Sequence, residues 1–204
     1  MGPASTIGSI SEISGSAGVS VGAGVTEFAP GDHVIGSFVP TCGECFYCKN
    51  GQAFVCEKQY EIGFGRMPFS RKDGSRLMPG PGGLSTFAEE TICSPAAIVK
   101  IPKDFDLVEA ALIGCGVTTG VGSALWAGKV TKGSTAVVIG CGGVGISVVQ
   151  GCRIAKAGKI VAVDLNPQKR KLAEKFGATY ADGKRPWGVE CDCAFPSATQ
   201  NESS

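Results

Sequence analysis

One stretch near the middle of the chain restricts the fold more than any other. The apolar run Ser134-Thr135-Ala136-Val137-Val138-Ile139 leads straight into Gly140-Cys141-Gly142-Gly143-Val144-Gly145, and a helical pattern, Val144 to Ala155, follows at once. A second apolar run, "KIVAVD", ends on Asp164, 19 residues after Gly145. A short continuous apolar run before a glycine turn and a helix predicts a buried strand, and the strand–helix–strand alternation predicts a parallel sheet. The glycines at 140, 142, 143 and 145 permit the tight turn, let a pyrophosphate approach backbone N–H groups at a helix N-terminus, and let the helix pack on the strand. Asp164 is placed to accept from a ribose hydroxyl, and no arginine follows it directly, which predicts NAD over NADP. The plainer alternative is a tight βα turn with Asp164 capping the next segment. Asn166-Pro167 predicts the start of a further helix and Gly177 its end.

A second feature is as specific. Cys42, Cys45 and Cys48 are spaced by two residues each, and Cys56 follows after seven. Zinc takes four thiolates tetrahedrally at about 2.3 Å, and such gaps let a tight loop aim its side chains inward while a longer arm folds over. The spacing therefore predicts a structural zinc site, with two disulfides in a secreted fold as the alternative.

The surrounding sequence favours the reduced, cytoplasmic setting. Met1 to Ser20 has neither the basic region nor the apolar core of a signal peptide, and no run of 18 uninterrupted apolar residues predicts a membrane span. Nineteen basic against 18 acidic residues leave no excess charge for nucleic acid or anionic lipid, so the expected partners are small molecules. The first thirty residues, rich in Gly, Ser and Ala, read as a frayed strand or a lead-in. Order is expected from Pro30-Gly31-Asp32, with His33 to Ile35 as a strand and Phe87 to Ile101 as two strands broken at Ser94-Pro95. Glu57 to Leu84, with Arg66, Arg71, Lys72 and Arg76, reads as a long polar loop, and helix begins at Leu107. Cys93, Cys141 and Cys152 read as buried free thiols, and Cys191 and Cys193 as neighbours on one face of a strand.

The cysteine loop, the glycine turn and Gly114-Cys115-Gly116-Val117-Thr118-Thr119-Gly120, in this order, resemble the medium-chain zinc-dependent alcohol dehydrogenases. The likeness runs from "GAGVTEFAPGDHV" at Gly22 to "KFGATYA" at Ala181, and "DGSRL" with "LSTFAEE" is most similar to the class containing hydroxymethylglutathione dehydrogenases. It implies an α/β chain: a GroES-like β-rich domain remnant over 31–118 with a zinc lobe at 40–57, then a partial Rossmann domain over 119–204, with 1–30 a poorly specified remnant. It implies NAD-linked interconversion of a small-molecule alcohol and aldehyde. Residue by residue, it assigns Cys42, Cys45, Cys48 and Cys56 to structural zinc and Cys115 to catalytic zinc. Thr119 and Val144 match nicotinamide neighbours, and Asp164 and Lys169 match adenosine ribose contacts.

Two departures shape the expectation. The segment supplying the family's other catalytic ligands is not found: Glu12 falls where a histidine is expected, and the only histidine, His33, lies in the "GDHV" turn. After Ala181 the sequence departs from the family, and residues 184–202, ending "PSATQNE", resemble glutamate dehydrogenase, whose cofactor-side motif matches Ala198, Thr199 and Asn201. The expectation is a truncated, impaired dehydrogenase that associates with copies of itself through an exposed sheet edge. The rival is a non-catalytic, zinc-stabilised module or fusion product that binds a dinucleotide or a partner.

Overall fold

The computed structural model describes residues 7–10, 15–64, 69–77, 84–86, 88, 90–181 and 186–198. Two compact units divide the chain, Met1–Gly114 and Cys115–Ser204.

In the first unit an antiparallel sheet has the order β1-β2-β3-β6, from Ile7–Ile10, Gly15–Val21, His33–Gly36 and Ile98–Ile101. Two of its strands thus fall within the glycine- and serine-rich opening that reads as a frayed strand or lead-in. Residues this small give little β signal of their own, and their strand is made by ladder hydrogen bonds to β3, through pairs such as Ala17 with His33. Val34, Leu84, Cys93, Ala97 and Ile98 form the core of this unit. A Cβ on Gly36 would lie 2.9 Å from a Leu84 methyl group, so a larger residue in β3 would have to displace that side chain. Asp32, only 8 % exposed, accepts from the Ala29 N–H at 2.9 Å and pairs with Lys100 at 2.6 Å, closing the Pro30-Gly31 turn.

Two expectations change here. Among its described residues, the stretch from Phe87 to Ile101 holds one strand of the sheet instead of two. Ser94 accepts from Ala96 N and starts a 3-10 turn, Pro95–Ala97, so Cys93 contributes only an isolated bridge before β6. The polar loop from Glu57 contains helix α2, Gln59–Phe64, and the hairpin of β4 and β5, Phe69–Ser70 with Arg76–Leu77, where Asp73 accepts from Ser75 N across the turn. Arg66, Phe87 and Glu12 lie outside the described residues.

Helical residues run unbroken from Leu107 to Ala127, 21 residues of mean hydropathy 1.4. By length and composition alone this helix is apolar enough to cross a membrane, although it lacks 18 uninterrupted apolar residues. Its start, α3 (Leu107–Leu112), is capped by Asp106, which accepts from Glu109 N at 2.9 Å.

In the second unit four parallel strands have the order β10-β7-β8-β9, from Cys193–Pro196, Thr135–Ile139, Lys159–Val163 and Thr179–Tyr180. Helix α5, Gly143–Ile154, crosses between β7 and β8, and α6, Arg170–Lys175, between β8 and β9. One sheet face carries the main core, including Val138, Ile146, Val149, Ile160, Tyr180 and Phe195. The other face, Val137, Ile139 and Val161, is covered by Ala181 and Val189 of the segment leading to β10.

A strand does form at the segment expected to hold Cys191 and Cys193, but it begins at Cys193: Cys193 to Pro196 pair in parallel with Ala136 to Ile139. Asp192 anchors the start of the pair, accepting from Thr135 N at 2.8 Å while its own N–H donates to Thr135 O at 2.9 Å. Cys191 lies exposed ahead of the strand, so it shares no strand face with Cys193, whose thiol donates to Gly128 O at 3.3 Å.

Candidate functional site

The cysteine loop folds around its sulfurs and around little else. Gly43 and Gly51, at φ +72° and +74°, make the reversals that L side chains resist. Between them α1, Phe46–Lys49, buries no side chain, and neither does the 3-10 turn Ala53–Val55. Phe46, Phe54 and Tyr60 stand mostly exposed, whereas Cys45 and Cys56 are buried. A lobe without an apolar centre needs another source of cohesion, and bound metal is the usual one.

The donor set fits zinc. All four Sγ atoms lie within 4.8 Å of one another, with Cys42 to Cys48 at 3.9 Å and Cys45 to Cys56 at 4.0 Å. A tetrahedron with arms of about 2.3 Å has edges of about 3.8 Å. A disulfide needs sulfurs about 2.05 Å apart, so this geometry holds four free thiols. The N–H groups of Cys42 and Cys45 donate to the sulfurs of Cys56 and Cys42, both at 3.3 Å. N–H groups from the Cys48 and Glu57 backbone lower the Cys45 thiol to about 6, and the Glu44 N–H lowers Cys42. Burial, together with the neighbouring sulfurs, raises Cys48 to about 12. Some of these sulfurs are thus prepared for negative charge, and full ionisation of the set requires a cation among them.

The glycine turn is built at the carboxyl end of β7. Gly140 takes φ +94°, and a Cβ there would meet Ala198 at 2.7 Å; a Cβ on Gly145 would lie 1.8 Å from Gly140 O. Gly142 and Gly143 are the reverse case, with nothing within 4 Å of a Cβ. Two glycines therefore close the turn and two leave space above it. Gly142 is the N-cap of α5 and provides no side-chain acceptor, which leaves first-turn N–H groups free for an anion. Burial, then the Asp164 charge, holds the Cys141 thiol near 11, so it stays neutral beside that cradle.

Asp164 reaches across to the turn. One carboxylate oxygen accepts from Cys141 N at 2.6 Å and the other from Asn166 N at 2.7 Å. A carboxylate has about four acceptor positions, so two remain for hydroxyl donors. Lys169, half-buried in the 3-10 turn Pro167–Lys169, is near enough for its charge to act on the Cys141 thiol. Tyr180 was not anticipated: its hydroxyl donates to Asp164 O at 2.8 Å and ties down the segment after β8.

Gly120, the residue after Thr119, meets Val144 at a close helix crossing. A Cβ on Gly120 would lie 2.4 Å from Val144 O, and one on Gly151 would lie 2.8 Å from the Ala124 Cβ. Only small residues allow α4, Thr118–Gly122, and the π-helical turn Ser123–Ala127 to approach α5 so closely. Cys115 is exposed, and the four-cysteine set is the only group of three or more potential metal ligands among the described residues. His33 is half-buried at the start of β3, not at a surface turn, and its buried Nδ1 has no hydrogen-bond partner among the described residues. The described residues therefore do not assemble a ligand set for a catalytic zinc around Cys115.

Residues 7–103 match the alcohol dehydrogenase GroES-like domain. The chain is similar to the zinc-type medium-chain alcohol dehydrogenases. It is 44 % identical over 168 residues to the class-3 alcohol dehydrogenase of Drosophila melanogaster, covering 78 % of this chain and 43 % of that protein. It is 43 % identical over 169 residues to an S-(hydroxymethyl)glutathione dehydrogenase of Escherichia coli O1:K1 / APEC, covering 79 % and 45 %. The chain thus spans a little under half the length of these curated relatives. Among solved structures, an alcohol dehydrogenase zinc-binding domain protein of Burkholderia ambifaria superposes with a TM-score of 0.77 at 26 % identity, over 92 % of this chain and 58 % of that one. Benzyl alcohol dehydrogenase of Acinetobacter calcoaceticus has the same fold, with a TM-score of 0.73 at 24 % identity over 98 % and 59 %.

Proposed function

We propose that this chain carries the structural-zinc lobe and the dinucleotide-binding part of an NAD-linked, cytoplasmic oxidoreductase acting on small alcohols and aldehydes, of hydroxymethylglutathione type. The observation that carries this reading is the glycine turn, with two glycines closed against backbone and two open toward a helix N-terminus, and Asp164 fixed beside it. In this reading Gly142, Gly143 and the N–H groups of α5 receive a pyrophosphate. Asp164 accepts from the adenosine ribose and repels a 2′-phosphate, with Lys169 alongside. Thr119 and Val144 border the nicotinamide. Ala198, in the segment similar to glutamate dehydrogenase, packs on Gly140 at the crevice between β7 and β10, where strand order reverses and such ligands bind.

Zinc at Cys42, Cys45, Cys48 and Cys56 supplies structural cross-linking, and NAD when bound accepts a hydride. No proton or hydride step is assigned to Cys115, because no companion ligands stand around it among the described residues. That favours a second reading, a chain that binds dinucleotide without turning over. Calorimetric titration with NAD and NADP, alongside metal analysis and an alcohol-dependent NADH assay, tests both. We expect about one zinc per chain, NAD bound more tightly than NADP, loss of that preference in Asp164→Ala, and little NADH formed. Equal or tighter NADP binding by the wild type overturns the cofactor assignment. Turnover abolished by Cys115→Ser, with two zinc ions bound, overturns the binding-only reading.

A further inference from the structure

A recess of about 460 Å³ lies at the end of the parallel sheet opposite the glycine turn, where β8 and β9 begin and α5 and α6 end. Its size falls within the range of small-molecule sites, roughly 300–1,000 Å³. Three cations border it: Arg153 from the last turn of α5, Lys159 from the first position of β8 and Lys175 from the last position of α6. Its one acidic side chain, Glu174, is taken by Arg170 at 2.8 Å. None of the three cations forms an ion pair among the described residues.

Cations in the last turn of a helix are ordinarily accounted for by the helix dipole, so charge magnitudes must decide. A helix C-terminus carries about half a negative charge, and two together offset about one of the three positive charges. The carbonyls at these ends are also partly satisfied already. Lys156 N donates to Arg153 O and Ala157 N to Cys152 O, both at 3.0 Å, while Gly177 N donates to Glu174 O at 2.9 Å and Ala178 N to Ala173 O at 3.1 Å. A surplus of about two positive charges remains, with no counter-charge of the chain's own. Beneath it Ile160, 6 % exposed, and the half-buried Phe176 ring give an apolar floor.

We propose that this recess binds a small organic polyanion with two or more negative charges and a flat apolar part. The charges meet Arg153, Lys159 and Lys175, and the apolar part lies on Ile160 and Phe176. Gly158 N and Gly177 N are already engaged, to Ser134 O and Glu174 O at 2.9 Å each, so side chains supply the binding and it weakens with salt. This site is separate from the dinucleotide crevice and does not depend on that assignment.

Titration of the ¹⁵N-labelled full chain with 1-naphthyl phosphate, and separately with inorganic phosphate, tests the proposal. Amide shifts are expected at Gly158, Lys159, Gly177 and Thr179. Inorganic phosphate, lacking the apolar part, should bind about tenfold more weakly, and the double variant Arg153→Gln, Lys159→Gln should weaken naphthyl phosphate by about tenfold or more. These side chains are exposed, so the variant should retain the wild-type spectrum elsewhere. Shifts confined to Gly142–Gly145, equal binding of the two phosphates, or wild-type affinity in the double variant would each overturn it.

Discussion

Replacing Phe195 by alanine tests whether the terminal strand is part of the sheet or an appendage to it. Phe195 is 9 % exposed and belongs to the same core as Val138 and Ile146. Its ring lies over Gly128, where a Cβ would come within 2.6 Å of it, so this neighbour has no side chain to fill the space. Removing a buried phenylalanine side chain costs about 3–5 kcal/mol in transfer and cavity terms. Against a total stability of about 5–15 kcal/mol that is a large fraction. With a urea m-value of about 2 kcal/mol/M for the unit, the unfolding midpoint should fall by roughly 1.5–2.5 M. The assay is urea unfolding of full-length wild type and Phe195→Ala, followed by circular dichroism and Trp fluorescence. Ala194→Ser, at an exposed position of the same strand, serves as the control. A midpoint shift below about 0.5 M for Phe195→Ala would mean that β10 does not close this core.

Three further outcomes follow from the same geometry. Purified protein should hold zinc that Cys45→Ser lowers, and chelation should remove amide protection from residues 42–56, because metal binding in such lobes supplies about 10 kcal/mol of folding free energy; zinc-free wild type with four unreactive thiols would sink that account. Gly145→Ala should destabilise the second unit by about 3 kcal/mol or more, since its Cβ meets Gly140 O at 1.8 Å, whereas Gly142→Ala should cost under about 1 kcal/mol and still weaken NAD binding; equal stability losses in urea unfolding would refute the distinction. Lys100 first, then the Ala29 N–H, hold the Asp32 carboxyl below its ordinary value, so its contribution is present above about pH 4 and disappears as pH falls through the lower folded value. Asp32→Asn should therefore be less stable than wild type at neutral pH, with the gap in urea unfolding narrowing as pH falls below the ordinary carboxylate range, and a gap that stays constant throughout that fall would show that charge is not the cause.

What the sequence determined by itself was what depends on local spacing. Two-residue gaps between Cys42, Cys45 and Cys48 bring sulfurs together through short-range turns, and the glycine turn is set by a strand, four small residues and a helix in immediate succession. Asn166-Pro167 and Gly177 work in the same way: the asparagine accepts from Gln168 N and Gly177 takes φ +88°, both matters of neighbouring residues. Tertiary structure decided whatever depends on distant partners. Strands β1 and β2 are too rich in small residues to declare themselves, and they exist through pairing, β1 with β2 and β2 with β3, whose partners such as Ile35 for Gly15 lie well beyond local reach. The placement of Cys193–Pro196 beside β7, over fifty residues distant in sequence, could not be read from four residues whose pattern fits either sheet edge. The engagement of Asp164 with Cys141 N, and of Tyr180 with Asp164 O, likewise needed the fold. The surplus charge at the far end of the sheet arises only when Arg153, Lys159 and Lys175, unremarkable one by one, are carried to the same place by two helix ends and a strand start.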